Sequence, residues 1–120
     1  MHELGIAEML AEIALEEAKR NAISKVSSLT VQVGEMTAVV PNLLTFAFSI
    51  ISRGTILEGA ELHIEVVPIV AKCDRCGELF EVENFSFKCP DCGVVTDHYI
   101  SGQELLLVSI EGERGEDVHA

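Results

Sequence analysis

The chain has 120 residues, 48% of them apolar and 23% charged, a size that suits one compact domain or one domain with a small appended module. Its apolar share, with 5 Phe and 1 Tyr, is enough to offset the entropy of ordering a core, so wholesale disorder is excluded. With 20 acidic against 8 basic residues the net charge is −12, and the basic residues are scattered along the chain, a field that repels phosphate backbones and argues against nucleic-acid binding.

Over residues 3–22, Leu4, Ala7, Ala11, Leu15 and Ala18 recur at three- and four-residue spacing, flanked by Ile6, Leu10 and Ile13. This predicts an amphipathic helix whose solvated face carries Glu8, Glu12, Glu16 and Lys19. The first basic residue is Lys19, preceded by Glu3 and Glu8, so no secretory n-region is expected. The longest uncharged stretch, 36–52, contains Pro41, Asn42, Thr45 and Ser49 and is too short and polar for a membrane span. A soluble, cytoplasmic chain with no membrane partner is the expectation.

Residues 28–33 alternate, Leu29, Val31 and Val33 against Ser28, Thr30 and Gln32, and predict a half-buried strand closed by Gly34. Pro41 suits the first turn of a second helix running to Arg53, with Leu43, Leu44, Phe46, Ala47, Ile50 and Ile51 as its apolar positions and Gly54 as a left-handed cap. Residues 61–67 alternate again, Leu62, Ile64 and Val66 against Glu61, His63 and Glu65. Residues 104–110 are apolar enough for a strand buried on both faces. The expected fold class is α+β: a small sheet of about three strands with two helices, plus an inserted four-cysteine module resembling a zinc ribbon. The main α/β domain is expected to be discontinuous, 1–70 and 102–120, around a cysteine module at 71–101, with a frayed polar tail over 112–120.

Within that module the chain reads Cys73-Asp74-Arg75-Cys76-Gly77 and, after twelve residues counted from Gly77, Cys89-Pro90-Asp91-Cys92-Gly93. Two residues between cysteines let one tight turn present both sulfurs to one ion, and the following glycine accepts the positive φ that closes the turn. Two such knuckles supply four thiolates in a tetrahedron, the closed arrangement that favours structural Zn²⁺ over a rubredoxin-like iron or redox disulfides. Residues 78–82 and 85–87 are expected to form a small hairpin. So short a module cannot bury enough surface unaided, so metal binding and folding are expected to be one event.

The leading Met1-His2-Glu3 offers a second site. The α-amine of Met1, the amide nitrogen of His2 and its imidazole close fused chelate rings on one ion, a nitrogen-rich, near-planar set that suits Ni²⁺ or Cu²⁺. A fourth ligand would come from the Glu3 amide or carboxylate, or from a distant histidine. The bulk of His2 is expected to prevent removal of Met1 and so preserve the amine. MHELGIAEML, VGEMTAVVPNLLTFAFSII and CDRCG…CPDCG together resemble the HypA family of hydrogenase-maturation nickel chaperones, over nearly the whole chain. The resemblance implies a nickel-binding motif at Met1, His2 and Glu3 and a zinc site at Cys73, Cys76, Cys89 and Cys92. It implies a non-enzymatic accessory protein, with structural Zn²⁺ and transferable Ni²⁺, that works with the HypB GTPase toward the large subunit of a [NiFe]-hydrogenase. In some members urease maturation is served as well.

His98, six residues past the second knuckle, is a candidate further nickel ligand, against a plain surface role. His63 and His119 read as solvated, and Met9 and Met36 as core filler. The rival function is a zinc-ribbon binding module in transcription or translation, which the −12 charge opposes. No G-x-S-x-G, P-loop or H-E-x-x-H stands in the sequence to support an enzyme. Monomer and homodimer are both left open.

Overall fold

The computed structural model describes residues 2–114, so Met1, His119 and the end of the tail lie outside the described residues. In chain order the elements are α1 (His2–Arg20), β1 (Ile23–Gly34), a 3₁₀ turn (Glu35–Thr37), α2 (Pro41–Ile51), β2 (Glu61–Val67), β3 (Val70–Lys72), β4 (Leu79–Glu81), β5 (Tyr99–Ser101) and β6 (Leu105–Arg114). They form two helices and two three-stranded sheets, the mixed α+β class. Among the described residues one compact unit takes 2–32, 39–65 and 106–114, and the other takes Val33–Ala38 and Val66–Leu105.

In the first unit α1 buries Ala7, Leu10, Ala11, Ala14 and Ala18, a stripe of mostly alanines that lets α2 pack closely against it. Leu4, Met9 and Ile13 stay 37–40% exposed, so Met9 is not core filler. Pro41 does occupy the first turn of α2, where Leu44, Ala47 and Phe48 are buried. That helix ends at Ile51, ahead of the expected Arg53, where bonding tightens to the Arg53 amide on the Ile50 carbonyl and Gly54 takes the expected left-handed φ of 78°.

The larger sheet has the order β2-β1-β6. β2 spans the alternating run read from sequence, though Val66 is exposed where the alternation set it with Leu62 and Ile64, whereas β1 starts at Ile23, five residues before the alternation becomes regular. Its early part is polar and is fastened from the side: Ser24 and Ser27 donate to the Glu113 and Glu111 carbonyls, and Ser28 to the Glu111 carboxylate. The expectation that residues 104–110 are buried on both faces fails, since Leu106 and Val108 are 53% and 52% exposed. β6 is an edge strand, and an apolar run alone does not tell an edge from a centre.

The second unit carries the sheet β4-β3-β5, all antiparallel, with Ala71 opposite both Phe80 and Tyr99. The expected local hairpin of 78–82 with 85–87 survives only as a single bridge, Glu83 to Ser86, around Asn84 and Phe85, both at positive φ. Residues 79–81 pair instead with β3, where Ala71 and Phe80 join a core with Ile69, Cys73, Val82 and Cys89. Met36, Phe87, Val94 and Tyr99 pack around that core. Glu35 accepts from the Ile69 amide at 3.0 Å, and the backbones at Gly34 and Gly102 touch so closely that a Cβ on Gly34 would lie 2.0 Å from the Gly102 oxygen. None of the described helices is long and apolar enough to cross a membrane.

Candidate metal centre

The two knuckles are built alike. The Cys73 amide donates to the Glu78 carbonyl and the Gly77 amide to the Cys73 carbonyl, both at 2.9 Å; Cys89 with Val94 and Gly93 with Cys89 repeat this at the same lengths. Gly77 and Gly93 both adopt φ of 76°, the left-handed bend that brings each chain back toward its own first cysteine. Ligand atoms of Cys73, Cys76, Cys89 and Cys92 consequently lie within 4.8 Å of one another. The Cys73–Cys92 sulfurs are 3.3 Å apart and the Cys76–Cys89 sulfurs 3.7 Å. Four sulfurs each about 2.3 Å from a zinc ion in a tetrahedron stand about 3.8 Å apart, so this cluster fits such an ion with only small adjustments. All four cysteines are free of disulfides; Cys73 and Cys89 are buried, Cys76 and Cys92 exposed.

Their thiols do not titrate alike. The backbone amide of Cys76 and then that of Arg75 hydrogen-bond to the Cys73 sulfur, and with help from the Cys92 and Cys76 side chains draw it down to about 6. At Cys76 the hydrogen bond with the Glu78 backbone pulls downward, but burial and the Cys73, Cys89 and Cys92 side chains prevail and push it up to about 12. Cys92 is also raised: the Val94 backbone bond lowers it, but the Cys73 side chain, burial and Cys89 outweigh that bond. One thiolate forms readily and its neighbours then resist, an electrostatic conflict that a divalent cation at the centre relieves.

Thr96 holds the cluster to its sheet. It is buried, its hydroxyl lies 3.1 Å from both the Lys72 carbonyl and the Asp74 carboxylate, and it accepts from the His98 amide at 3.0 Å. The Lys72 amide donates to the His98 carbonyl at 2.8 Å, tying the chain before the first knuckle to the chain after the second. The His98 ring is about half exposed, its Nδ1 3.5 Å from Asp74. Neither Asp74 nor Thr96 stood out in the sequence, because a lone threonine or an aspartate inside a knuckle carries no spacing signal.

At the other candidate site His2 is exposed in the first turn of α1, and Met1 lies outside the described residues. Amides in a first helical turn have no intrahelical carbonyl to bond, so the His2 amide nitrogen is not committed to the helix. Glu3 is half-buried and its carboxylate accepts from the Val40 amide at 3.1 Å, the main reason its carboxyl is held below the ordinary glutamate range. Successive helix positions diverge by about 100°, so His2 and Glu3 side chains point apart. His63 is exposed and paired with Glu61 at 3.2 Å. Among the described residues only the four cysteines form a metal-ready cluster.

Comparisons with known proteins agree with one another. A family model described as hydrogenase/urease nickel incorporation, metallochaperone, HypA, matches residues 1–112. A hydrogenase maturation factor HypA of Caldanaerobacter subterraneus subsp. tengcongensis is 40% identical, covering 94% of this chain and 100% of that protein. Another, from Desulfosudis oleivorans, is 43% identical over 92% of this chain and 97% of its own length. The solution structure of the Ni metallochaperone HypA from Helicobacter pylori superposes with a TM-score of 0.69 at 25% identity, covering 95% of this chain and 99% of that one. With its paired knuckles, its two sheets and a match over almost its full length, the chain belongs to the HypA family.

Proposed function

We propose that this protein is a nickel metallochaperone that binds Ni²⁺ through Met1, His2 and Glu3 and delivers it for maturation of a [NiFe]-hydrogenase, with zinc held structurally by Cys73, Cys76, Cys89 and Cys92. The observation that carries the reading is the exposed His2 at a helix start whose backbone nitrogens are uncommitted, in a chain whose family is described by nickel incorporation. The imidazole, the amide nitrogen of His2 and the α-amine of Met1 form the claw. The Glu3 carboxylate is engaged by Val40, so its share in the nickel site comes through its backbone nitrogen or after release of that bond. An open, solvent-facing nitrogen set permits ligand exchange, which a carrier requires of its cargo. The cysteine cluster has no free ligand position for catalysis once its four sulfurs are shared by one zinc. Its role is to fold the second unit.

In this reading His98 would serve as a further nickel ligand in place of its 3.5 Å contact with Asp74. A HypB-like GTPase and the large subunit of a [NiFe]-hydrogenase are the partners, with urease maturation as a second recipient and the cytoplasm as the compartment. The zinc-ribbon role in transcription or translation is not favoured: the chain's relatives are maturation factors and its charge is −12.

The test is nickel titration with parallel zinc analysis on protein with its native N-terminus, on His2→Ala and on a variant with one glycine added ahead of Met1. Loss of nickel binding in both variants with zinc unchanged is expected, with a smaller loss in His98→Ala. Protons compete with the metal for imidazole and amine, so nickel affinity is expected to fall as the solution is acidified. Undiminished nickel uptake by the extended chain would overturn the assignment.

A further inference from the structure

The chain has four cysteines and all stand in the one cluster, so no thiol elsewhere competes for a partner. The short sulfur contacts run crosswise between the knuckles, 3.3 Å from Cys73 to Cys92 and 3.7 Å from Cys76 to Cys89. A disulfide sets its sulfurs about 2.05 Å apart, so each pair needs to close by only about 1–2 Å, a movement that side-chain rotation supplies. Each crosswise pair also joins one exposed sulfur to one buried sulfur: Cys92 to Cys73, and Cys76 to Cys89. The exposed member is open to an oxidant and the buried member lies beside it. In that arrangement a first oxidised sulfur is resolved by its neighbour before it is oxidised further.

Much of the frame around the sulfurs is held without metal. Each knuckle is closed by its own pair of backbone bonds. The chain flanking the second knuckle is bridged from Lys88 to Val95, and the Thr96 amide donates to the Phe87 carbonyl at 2.9 Å. Cys73 and Cys89 sit in a core with Ile69, Ala71, Phe80 and Val82. A bond within one knuckle would leave the two knuckles untied, whereas a crosswise bond ties the same two segments that a shared ion ties. On the zinc reading proposed for the cluster, we infer that it is also a redox switch: peroxide converts Cys73 with Cys92 and Cys76 with Cys89 into two crosswise disulfides, zinc leaves, and the second unit stays folded on the bridges.

In each pair the exposed thiolate attacks peroxide, forming an S–O bond as the O–O bond breaks and hydroxide departs. The buried thiolate then attacks that sulfur, forming the S–S bond and expelling a second hydroxide. Two peroxides thus take four electrons from four thiolates and give two disulfides, four hydroxides and one free Zn²⁺. A dithiol reductant returns two electrons to each bridge and restores the ligands. The nitrogen claw at His2 contains no thiol and is left unchanged.

The experiment treats the zinc-loaded full chain with hydrogen peroxide, follows zinc release with a chromophoric chelator, blocks remaining thiols by alkylation and maps the linkages by mass spectrometry. Arg75, Lys88 and Asp91 separate successive cysteines, so cleavage after the two cations and before Asp91 puts each sulfur on its own fragment. Cys73 linked to Cys92 and Cys76 linked to Cys89 are expected, with one zinc released for every two disulfides. Amide NMR signals of residues 70–72, 79–81 and 99–101 are expected to stay dispersed in the oxidised chain. In the chain stripped of zinc by chelator under reducing conditions the same signals are expected to collapse. Dithiothreitol with added zinc should return the starting spectrum. Any other linkage, such as Cys73 to Cys76 and Cys89 to Cys92, would overturn the inference and leave the zinc reading standing, as would collapse of those signals on oxidation. Zinc retained through a peroxide dose that fully oxidises free glutathione would overturn it equally. A chain isolated without zinc would overturn the zinc reading itself, and the inference with it. The protein is used unaltered, so the result does not depend on a variant's folding.

Discussion

Replacing Gly34 by alanine inserts one methyl where the structure has least room for it. The new Cβ would stand 2.0 Å from the Gly102 oxygen, 2.1 Å from its carbonyl carbon and 2.6 Å from the Gln103 nitrogen, all backbone atoms that no rotamer change moves away. Restoring ordinary contact requires the two segments to part by about 1.3 Å. That movement would carry the bonds from the Gly34 amide to Glu104 and from the Met36 amide to Gly102, each now 2.7 Å, beyond hydrogen-bonding range. Unsatisfied groups at such a buried crossing cost about 1–3 kcal/mol each, so the substitution is expected to destabilise by about 2–5 kcal/mol. Against a total stability of about 5–15 kcal/mol this is a large fraction, and melting followed by circular dichroism should drop by about 10–20 °C. Gly5→Ala is the internal control: nothing lies within 4 Å of its Cβ, and alanine in α1 should raise stability by about 0.5 kcal/mol. A Gly34→Ala protein melting within about 3 °C of the parent would refute the reasoning.

Zinc affinity should climb with pH. Cys76 and Cys92 hold their protons above the ordinary thiol range and must release both on binding, whereas Cys73 is drawn down to about 6. The deprotonated form is the binding form, so metal-conferred stability is lost as pH falls; with at least the two protons of Cys76 and Cys92 released, competition with a chromophoric chelator should show at least about a hundredfold per pH unit near neutrality, and less than tenfold would count against the assignment. Thr96→Val keeps shape but removes the hydroxyl that serves Lys72, Asp74 and His98; a cost of about 1–3 kcal/mol is expected, read as at least tenfold faster zinc loss to chelator, and an unchanged rate would show the hydroxyl to be idle. The Glu3 carboxyl, lowered chiefly by its bond from Val40, supports folding fully above the ordinary glutamate value of about 4.3 and loses that support as pH falls through its depressed value. Carbon NMR should find its midpoint below that ordinary value, and a midpoint at or above it would show the bond to be absent in solution.

What the sequence disclosed and what it hid divide along a physical line. The knuckles were legible because a single ion dictates both the two-residue spacing and the glycine after each pair, whatever surrounds them. β2 was legible because half-burial imposes a period of two. The pairing of 79–81 with β3 was not, since local hairpin logic favours the nearer segment and only the packing of Phe80 on Ala71 decides otherwise. The length of β1 was hidden for a related reason: its serines are fastened by Glu111 and Glu113, more than eighty residues away. Even the anchoring of Glu3 by Val40 depends on a contact between distant residues, which no spacing rule reports.

The strands that begin and end the cysteine segment are neighbours, Val70 facing Ser101. Chain leaves and returns within roughly one interstrand distance of about 4.8 Å. Such a clasp fixes where the chain departs and where it comes back, so the length of what lies beyond it is decoupled from the strands on which it stands.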